Sequence, residues 1–432
     1  MLANLASATK IDEGVPPARN RLPAAALLIA TTVSMVGSAF TYIALPWFVL
    51  QSTGSASKTG LTGFFVALPG FIAGVFGGTL VDKLGYKYSS VVSDLISALG
   101  IMAIPLLYDT IGLAFWQLLV LVFIGSLLEV PGVTARRSLL PELATMARLR
   151  LEQLNSLFES VTALSILIGP PIAGILIGLL SAGNVLWIDG ASFLFSAVVV
   201  GLFVPALRPS ETARPGGRYL DELLAGLRFL RADRLLLGMA VCVGISNLLT
   251  APLFSVVIPV WVDHYFGKAS VLGLLGAVVG AATLAGALGY GVIGHRLSRR
   301  RLWLIAFALS PIAIWVMGVT HALVIVIPAI LMSYVFLGPI NPLMVTVRHE
   351  RIPTQMRGRV FATFSAITAV ATPLGMVIAG FVIQGLGITK MLLLLAALTT
   401  LLGLVMPFLP FVRDFDVSKS QPVVAQSGEP AA

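Results

Sequence analysis

All but three of this chain's 28 Lys and Arg residues fall in alternate gaps between its long apolar runs. That spacing confines the chain to a polytopic membrane protein of one orientation, because basic residues beside a membrane span are held on the cytoplasmic side. The basic gaps carry Lys83 and Lys87, then Arg136, Arg137, Arg148 and Arg150. Next come six arginines from Arg208 to Arg234, then Arg296 with Arg299, Arg300 and Arg301, then Arg348, Arg351, Arg357 and Arg359. The intervening gaps hold Lys58, Lys268 and Lys390. Both termini are therefore expected in the cytoplasm, and the number of spans is even.

A span needs about 20 mostly apolar residues to cross a hydrocarbon layer about 30 Å thick. Twelve such runs occur, at 24–50, 59–81, 88–108, 113–134, 152–180, 184–205, 235–262, 270–294, 302–319, 321–347, 360–385 and 389–412. They lack the alternation of a barrel strand, so they are expected to be helices. The seventh and tenth runs are long and contain Pro252, Pro259, Pro328, Pro339 and Pro342, which predicts tilted or kinked spans. The net charge of +9 is spread along one membrane face, which suits anionic headgroups and excludes nucleic acid as a partner. A lone cysteine, Cys242, excludes a disulfide framework and a multi-cysteine metal site, and His264, His295, His321 and His349 lack metal-ligand spacing. No metal or cofactor is expected. Residues 1–22 have no apolar core of a signal peptide and are assigned as a cytoplasmic tail.

The longest polar interruption, 206–234, divides the chain into a half at 23–205 and a half at 235–412, with a second tail at 413–432. Within the linker, Leu220, Leu223, Leu224 and Leu227 recur at helical spacing beside Arg218, Arg228 and Arg231, which predicts an amphipathic helix on the cytoplasmic leaflet. The halves also repeat. Gly78-Thr-Leu-Val-Asp82-Lys83-Leu-Gly85-Tyr86-Lys87 is echoed 213 positions later by Gly291-Val-Ile-Gly-His295-Arg296-Leu-Ser298-Arg299-Arg300. Arg136 with Pro141 is echoed 212 positions later by Arg348 with Pro353. Duplicated halves with an even span count insert in parallel and form a carrier whose substrate site lies between them. The expected fold is an all-α membrane protein of twelve transmembrane helices in two pseudo-symmetric six-helix halves.

These residues carry a family resemblance. Gly78–Lys87 resembles the signature loop between spans 2 and 3 of the major facilitator superfamily, and Gly169-Pro170-Pro-Ile-Ala173-Gly174 is similar to the span 5 motif of its antiporters. Ile43-Ala-Leu-Pro46-Trp47-Phe-Val-Leu-Gln51-Ser-Thr53-Gly54-Ser55, Thr134-Ala-Arg136 with Leu140-Pro141-Glu142, and Arg357-Gly358-Arg359-Val360-Phe361-Ala362 resemble one branch. That branch, of drug:proton antiporters, holds multidrug, macrolide and tetracycline exporters and a siderophore exporter. The resemblance runs from about residue 24 to 410. It implies a gating loop of Gly78, Asp82, Lys83, Gly85 and Lys87, in which Asp82 stabilises the outward-open state by meeting helix ends of the opposite half. Arg136, Arg348 and Arg359 are expected in the network between the halves. Gly169, Pro170 and Gly174 form a helix-bend motif. The chain departs from the pattern at Lys83 and Tyr86, which stand for arginines, and at Ala173, which stands for glycine. Span 1 carries Gly37-Ser38 where the branch often has an acid after the glycine, so the resemblance places no coupling carboxylate there.

A charge inside hydrocarbon costs about 2.5–3.5 kcal/mol on insertion scales, so each one in a span is a candidate for function. Four acids qualify: Asp94, Glu129, Glu159 and Asp189, in spans 3 to 6 of the first half. Each is a candidate for proton exchange or for meeting a cationic substrate; a structural network with Lys83, Lys87, Arg136 and Arg137 is the alternative for Asp94 and Glu129. His295 is expected to be a plain loop residue. Phe40, Tyr42, Trp47, Phe64 and Phe65 are expected mostly at lipid or interface, with an apolar cavity as the alternative. No phosphate-binding loop and no hydrolase or metalloprotease motif occurs, so a pump driven by ATP and an enzyme are excluded as readings. The expected function is export of small hydrophobic or cationic molecules by proton antiport and alternating access, in the cell membrane and as a monomer. An importer or uniporter of the same fold is the alternative.

Overall fold

The computed structural model describes residues 20–206 and 219–415, with the backbone alone for 71, 73–83, 219–223 and 295. Among the described residues, eleven helices are long and apolar enough to cross a membrane. In chain order, with the further long helix α2, they are α1 (Leu22–Thr53), α2 (Ala56–Leu84), α3 (Tyr86–Thr110), α4 (Phe115–Ala147), α5 (Leu151–Leu180) and α6 (Ala182–Phe203). The second half holds α7 (Arg234–Tyr265), α8 (Ala269–Ile293), α9 (Arg299–Val319), α10 (Leu323–Arg351), α11 (Thr354–Leu386) and α12 (Ile388–Phe408). The protein is a multi-pass membrane protein.

Local chemistry sets the ends. Pro23 opens α1, where its missing N–H removes no helical bond, and Gly54 closes it in the left-handed conformation. The expected kinks have distinct forms. Behind Pro252, α7 passes through a π-helical turn at Leu253–Val257, and α10 is interrupted at Gly338 and Pro339. Helix α4 extends to Ala147, beyond the apolar run ending at 134, because Ala135, Leu139 and Leu143 bury a stripe on a segment that hydropathy alone ends near Arg136.

The buried side chains form three cores. One spans both halves at the end away from the basic gaps and contains Trp47, Ile104, Val185, Trp261, Ile314 and Leu392. Two others lie at the basic end, one within each half: Leu27, Leu139 and Leu154 in the first, Leu236, Trp303 and Leu343 in the second. Among the described residues, no buried core joins the halves at the basic end. Trp47 and Phe40 thus belong to the shared core and not to a lipid-facing surface, Trp47 being 1% and Phe40 7% exposed.

Two equivalent seams join the halves, α2 with α11 and α5 with α8. Both are glycine contacts. A methyl group on Gly174 would meet Gly273 Cα at 2.6 Å, and one on Gly60 would meet Met376 O at 2.5 Å and Gly380 Cα at 3.0 Å. Backbones approach this closely only where side chains are absent.

The linker helix, Tyr219–Ala232, lies against α11. Gly226 abuts Thr363 and Arg359, and Leu230 enters the core of the second half. Of the predicted leucine stripe, Leu227 is half-buried and Leu224 exposed, and Leu220 and Leu223 lie among the residues whose side chains are not described.

Candidate functional site

Helix α4 breaks at Leu128, separating Phe115–Leu127 from Glu129–Ala147. The break leaves Gly125 O for a side chain of α3, while Leu128 O, which accepts from Gly132 N–H at 2.9 Å, takes a second donor from the same helix. Ser93 Oγ donates to Leu128 O, and Ser97 Oγ donates to Gly125 O at 2.7 Å. Glu129 is the first residue of the lower segment, where the helix dipole favours an anion. Its side chain is exposed, yet it stands in the wall of a cavity of about 750 Å³ between the halves.

Two turns further along, Arg136 is 2% exposed and enters the same wall. Its Nη2 donates to Asp94 Oδ1 and, at 3.1 Å, to Ser196 Oγ; its Nε donates to Ser90 Oγ at 3.0 Å. Asp94, also 2% exposed, keeps Oδ2 without a hydrogen-bond partner among the described residues. Asp94, Glu129 and Arg136 together leave this patch with one excess negative charge when all are ionised. Around it the cavity is mostly apolar, with Met35, Leu167, Phe193 and Phe254 among its walls, and Ser34, Thr162 and Asn341 as isolated polar groups. Tyr42 faces this cavity as well.

Asp189 is elsewhere. It is 1% exposed, accepts from Thr41 Oγ1 at 2.5 Å and from Ser192 Oγ at 3.2 Å, and does not line the cavity. It fills the space opposite Gly37, where a side chain on α1 would collide with Asp189 and Ser192. Glu159 is separate again: it pairs with Arg137 at 3.0 Å, both side chains more than half exposed, with the guanidinium 5.5 Å from the Phe158 ring.

The remaining candidates are distributed along the seams and the basic end. Gly85 has φ +78° and forms the one-residue junction between α2 and α3, a conformation that favours glycine; Lys87 stands in the first turn of α3. Gly78, Asp82 and Lys83 follow the helical path of α2, and their contacts, like the side chain of His295, lie outside the described residues. Arg136 finds its partners within its own half. So does Arg348, whose guanidinium lies 4.7 Å from the Phe364 ring and 5.1 Å from the Phe361 ring. Arg359 lies near the start of α11, beneath the linker helix. Helix α5 remains continuous through Pro170 and Pro171, and Gly169 and Gly174 let it approach Ala39 of α1 and Gly273 of α8.

Asn341, Ser90 and Ser196 were not singled out from sequence. A signal existed for one of them: Ser90, Ser93, Asp94 and Ser97 recur at helical spacing, so a polar stripe on α3 was visible.

The Major Facilitator Superfamily profile matches residues 27–267 and 240–430. This chain belongs to the major facilitator superfamily. It is 31% identical over 412 residues to the multidrug efflux pump Tap of Mycolicibacterium fortuitum, covering 92% of this chain and 98% of that one. To the Tap pump of Mycobacterium tuberculosis it is 30% identical, covering 92% and 96%. The macrolide efflux protein A of Streptococcus pyogenes is 21% identical, covering 89% and 95%. Among solved structures, the nucleoside transporter NupG superposes with a TM-score of 0.72 at 12% identity, covering 89% of this chain and 98% of that one. A bacterial homologue of the lysosomal transporter Spinster, inward-facing and unoccupied, gives 0.69 at 14% identity, covering 95% and 100%. The superfamily fold and a role in membrane transport of small molecules follow.

Proposed function

We propose that this protein exports small hydrophobic cations across the cell membrane by proton antiport and alternating access, acting as a monomer with both termini in the cytoplasm. The observation that carries this reading is Glu129, a carboxylate at a helix break that opens into a largely apolar cavity between the halves. Such a cavity accepts varied apolar bodies, and a fixed acid in it selects positive charge. The similarity to Tap pumps over nearly the whole chain supports export. The shared core and glycine seams at the far end seal that side, so the state described here takes its substrate from the basic, cytoplasmic side.

The coupling proton belongs to the acids of the first half. Glu129 faces the cavity and is the leading choice for both tasks, since a carboxylate that alternately holds a proton and a cation couples their opposite movements. Asp94 with Arg136 supports it. Asp189 ties α1 to α6 and senses the position of α1. Glu159, in its exposed ion pair, ranks last. Asp82 and its loop serve the switch between states, with halves at 23–205 and 235–412 moving about the seams.

The test is efflux of a fluorescent lipophilic cation from cells expressing the protein, with and without a protonophore. Glu129→Gln at equal expression is expected to reduce efflux by about tenfold or more, the scale of one charge-assisted contact. Efflux indifferent to both the protonophore and this substitution discards the coupling and favours a uniporter.

A further inference from the structure

A second cavity, of about 550 Å³, lies within the second half, and no role has been given to it. It shares Phe254, Val279 and Asn341 with the wall of the larger cavity, so the two adjoin. Its charge is opposite. Arg348 lines it, held flat by the rings of Phe361 and Phe364, and its Nε donates to Met344 O at 3.2 Å. Among the described residues no carboxylate pairs with it, in contrast to Arg136. Arg348 stands seven residues along α10 from Asn341, about 10 Å on a helix. An unpaired guanidinium in a mostly apolar pocket, fixed by stacking with donors left over, is a receptor for an anionic group.

The geometry points to a bipolar site, in which a lipophilic molecule places a cationic group at Glu129 and an acidic group at Arg348, with Asn341 at the passage between the chambers. The favoured substrates are then amphoteric lipophiles, bearing a cation and a carboxylate or similar acid on one hydrophobic body. This inference rests on the larger cavity being the substrate site.

The test uses the full chain in phosphatidylcholine nanodiscs, free of anionic lipid, and two probes with one xanthene body. Rhodamine B carries a cation and a carboxylate; its ethyl ester carries the cation alone. The readout is the ratio of their dissociation constants by fluorescence anisotropy. Wild-type protein is expected to favour rhodamine B, and Arg348→Gln to reduce that preference about tenfold, the scale of one charge-assisted contact. Arg348→Lys, the substitute if the glutamine variant does not fold, keeps the charge without the planar fork and moves the ratio the same way by less. A ratio unmoved in a folded variant overturns the bipolar site. Glu129→Gln separates the two readings: if it weakens neither probe, the larger cavity is not the substrate site, whatever the Arg348 ratio does.

Discussion

The two halves repeat one backbone plan and fill it with different chemistry. In each, the fourth helix of the half is interrupted partway along, at Leu128 in α4 and at Gly338 and Pro339 in α10. Past each break stands a polar residue facing a cavity, Glu129 in one half and Asn341, 212 positions later, in the other. Two turns on stands an arginine, Arg136 or Arg348. The partners diverge. Arg136 meets Ser90 and Asp94 of α3; the positions 213 residues later are Trp303 and Phe307, whose rings lie tilted 5.0 Å apart on α9. Where the carboxylate is gone, Arg348 rests on Phe361 and Phe364 instead. Duplication preserved the helix breaks and the cations, and it left the countercharge free to change. The result is a carrier with an acidic chamber facing a basic one.

The largest effect is expected where that contrast is sharpest. Asp94→Asn leaves Arg136 buried and unpaired, and should cost about 3–5 kcal/mol, whereas Arg348→Gln loses a cation–π contact worth about 0.5–2 kcal/mol. Unfolding of the purified protein in mixed micelles measures both, and equal losses would break the comparison. The seams, by contrast, should be matched. Gly174→Val and Gly60→Val each force side chain into backbone of the other half, at about 1–3 kcal/mol of overpacking. Both should raise labelling at the outer end by an impermeant thiol reagent, on single cysteines placed there; labelling raised by one alone would show that the seams carry unequal load. The smallest effect concerns the turns between the last two helices of each half. Gly387 has φ +86° and its counterpart Ser181 has φ +82°, with extended ψ, a conformation almost confined to glycine and disfavoured for serine by about 1 kcal/mol or somewhat more. Ser181→Gly should stabilise the protein by up to that amount and Gly387→Ser destabilise it; a loss of stability in Ser181→Gly would mean that the serine side chain holds the turn.

Much of the fold is legible in the sequence. Hydropathy located the spans, and the proline-bearing seventh and tenth runs did deviate from straight helices. The continuation of α4 beyond its apolar run and the burial of Trp47 and Phe40 share a cause: hydropathy measures preference for hydrocarbon and is blind to which face of a helix meets protein. The candidate acids were visible as charges in apolar runs, but their separation into different environments was not. Glu129 in a cavity, Asp94 in a buried pair, Asp189 behind Gly37 and Glu159 in an exposed pair follow from helix rotation and crossing.

Sequence by itself determined the number of apolar runs, the alternation of basic and nearly uncharged gaps, the internal repeat and the family, because transfer free energy and charge position accumulate residue by residue along the chain. Tertiary structure alone decided that Ser90, Asp94, Arg136 and Ser196, from three helices, meet at one point, and that Glu129 and Arg348 face adjoining chambers. Those facts depend on the azimuth at which each helix packs, which glycine seams and interrupted helices set by bringing backbones together across long stretches of sequence.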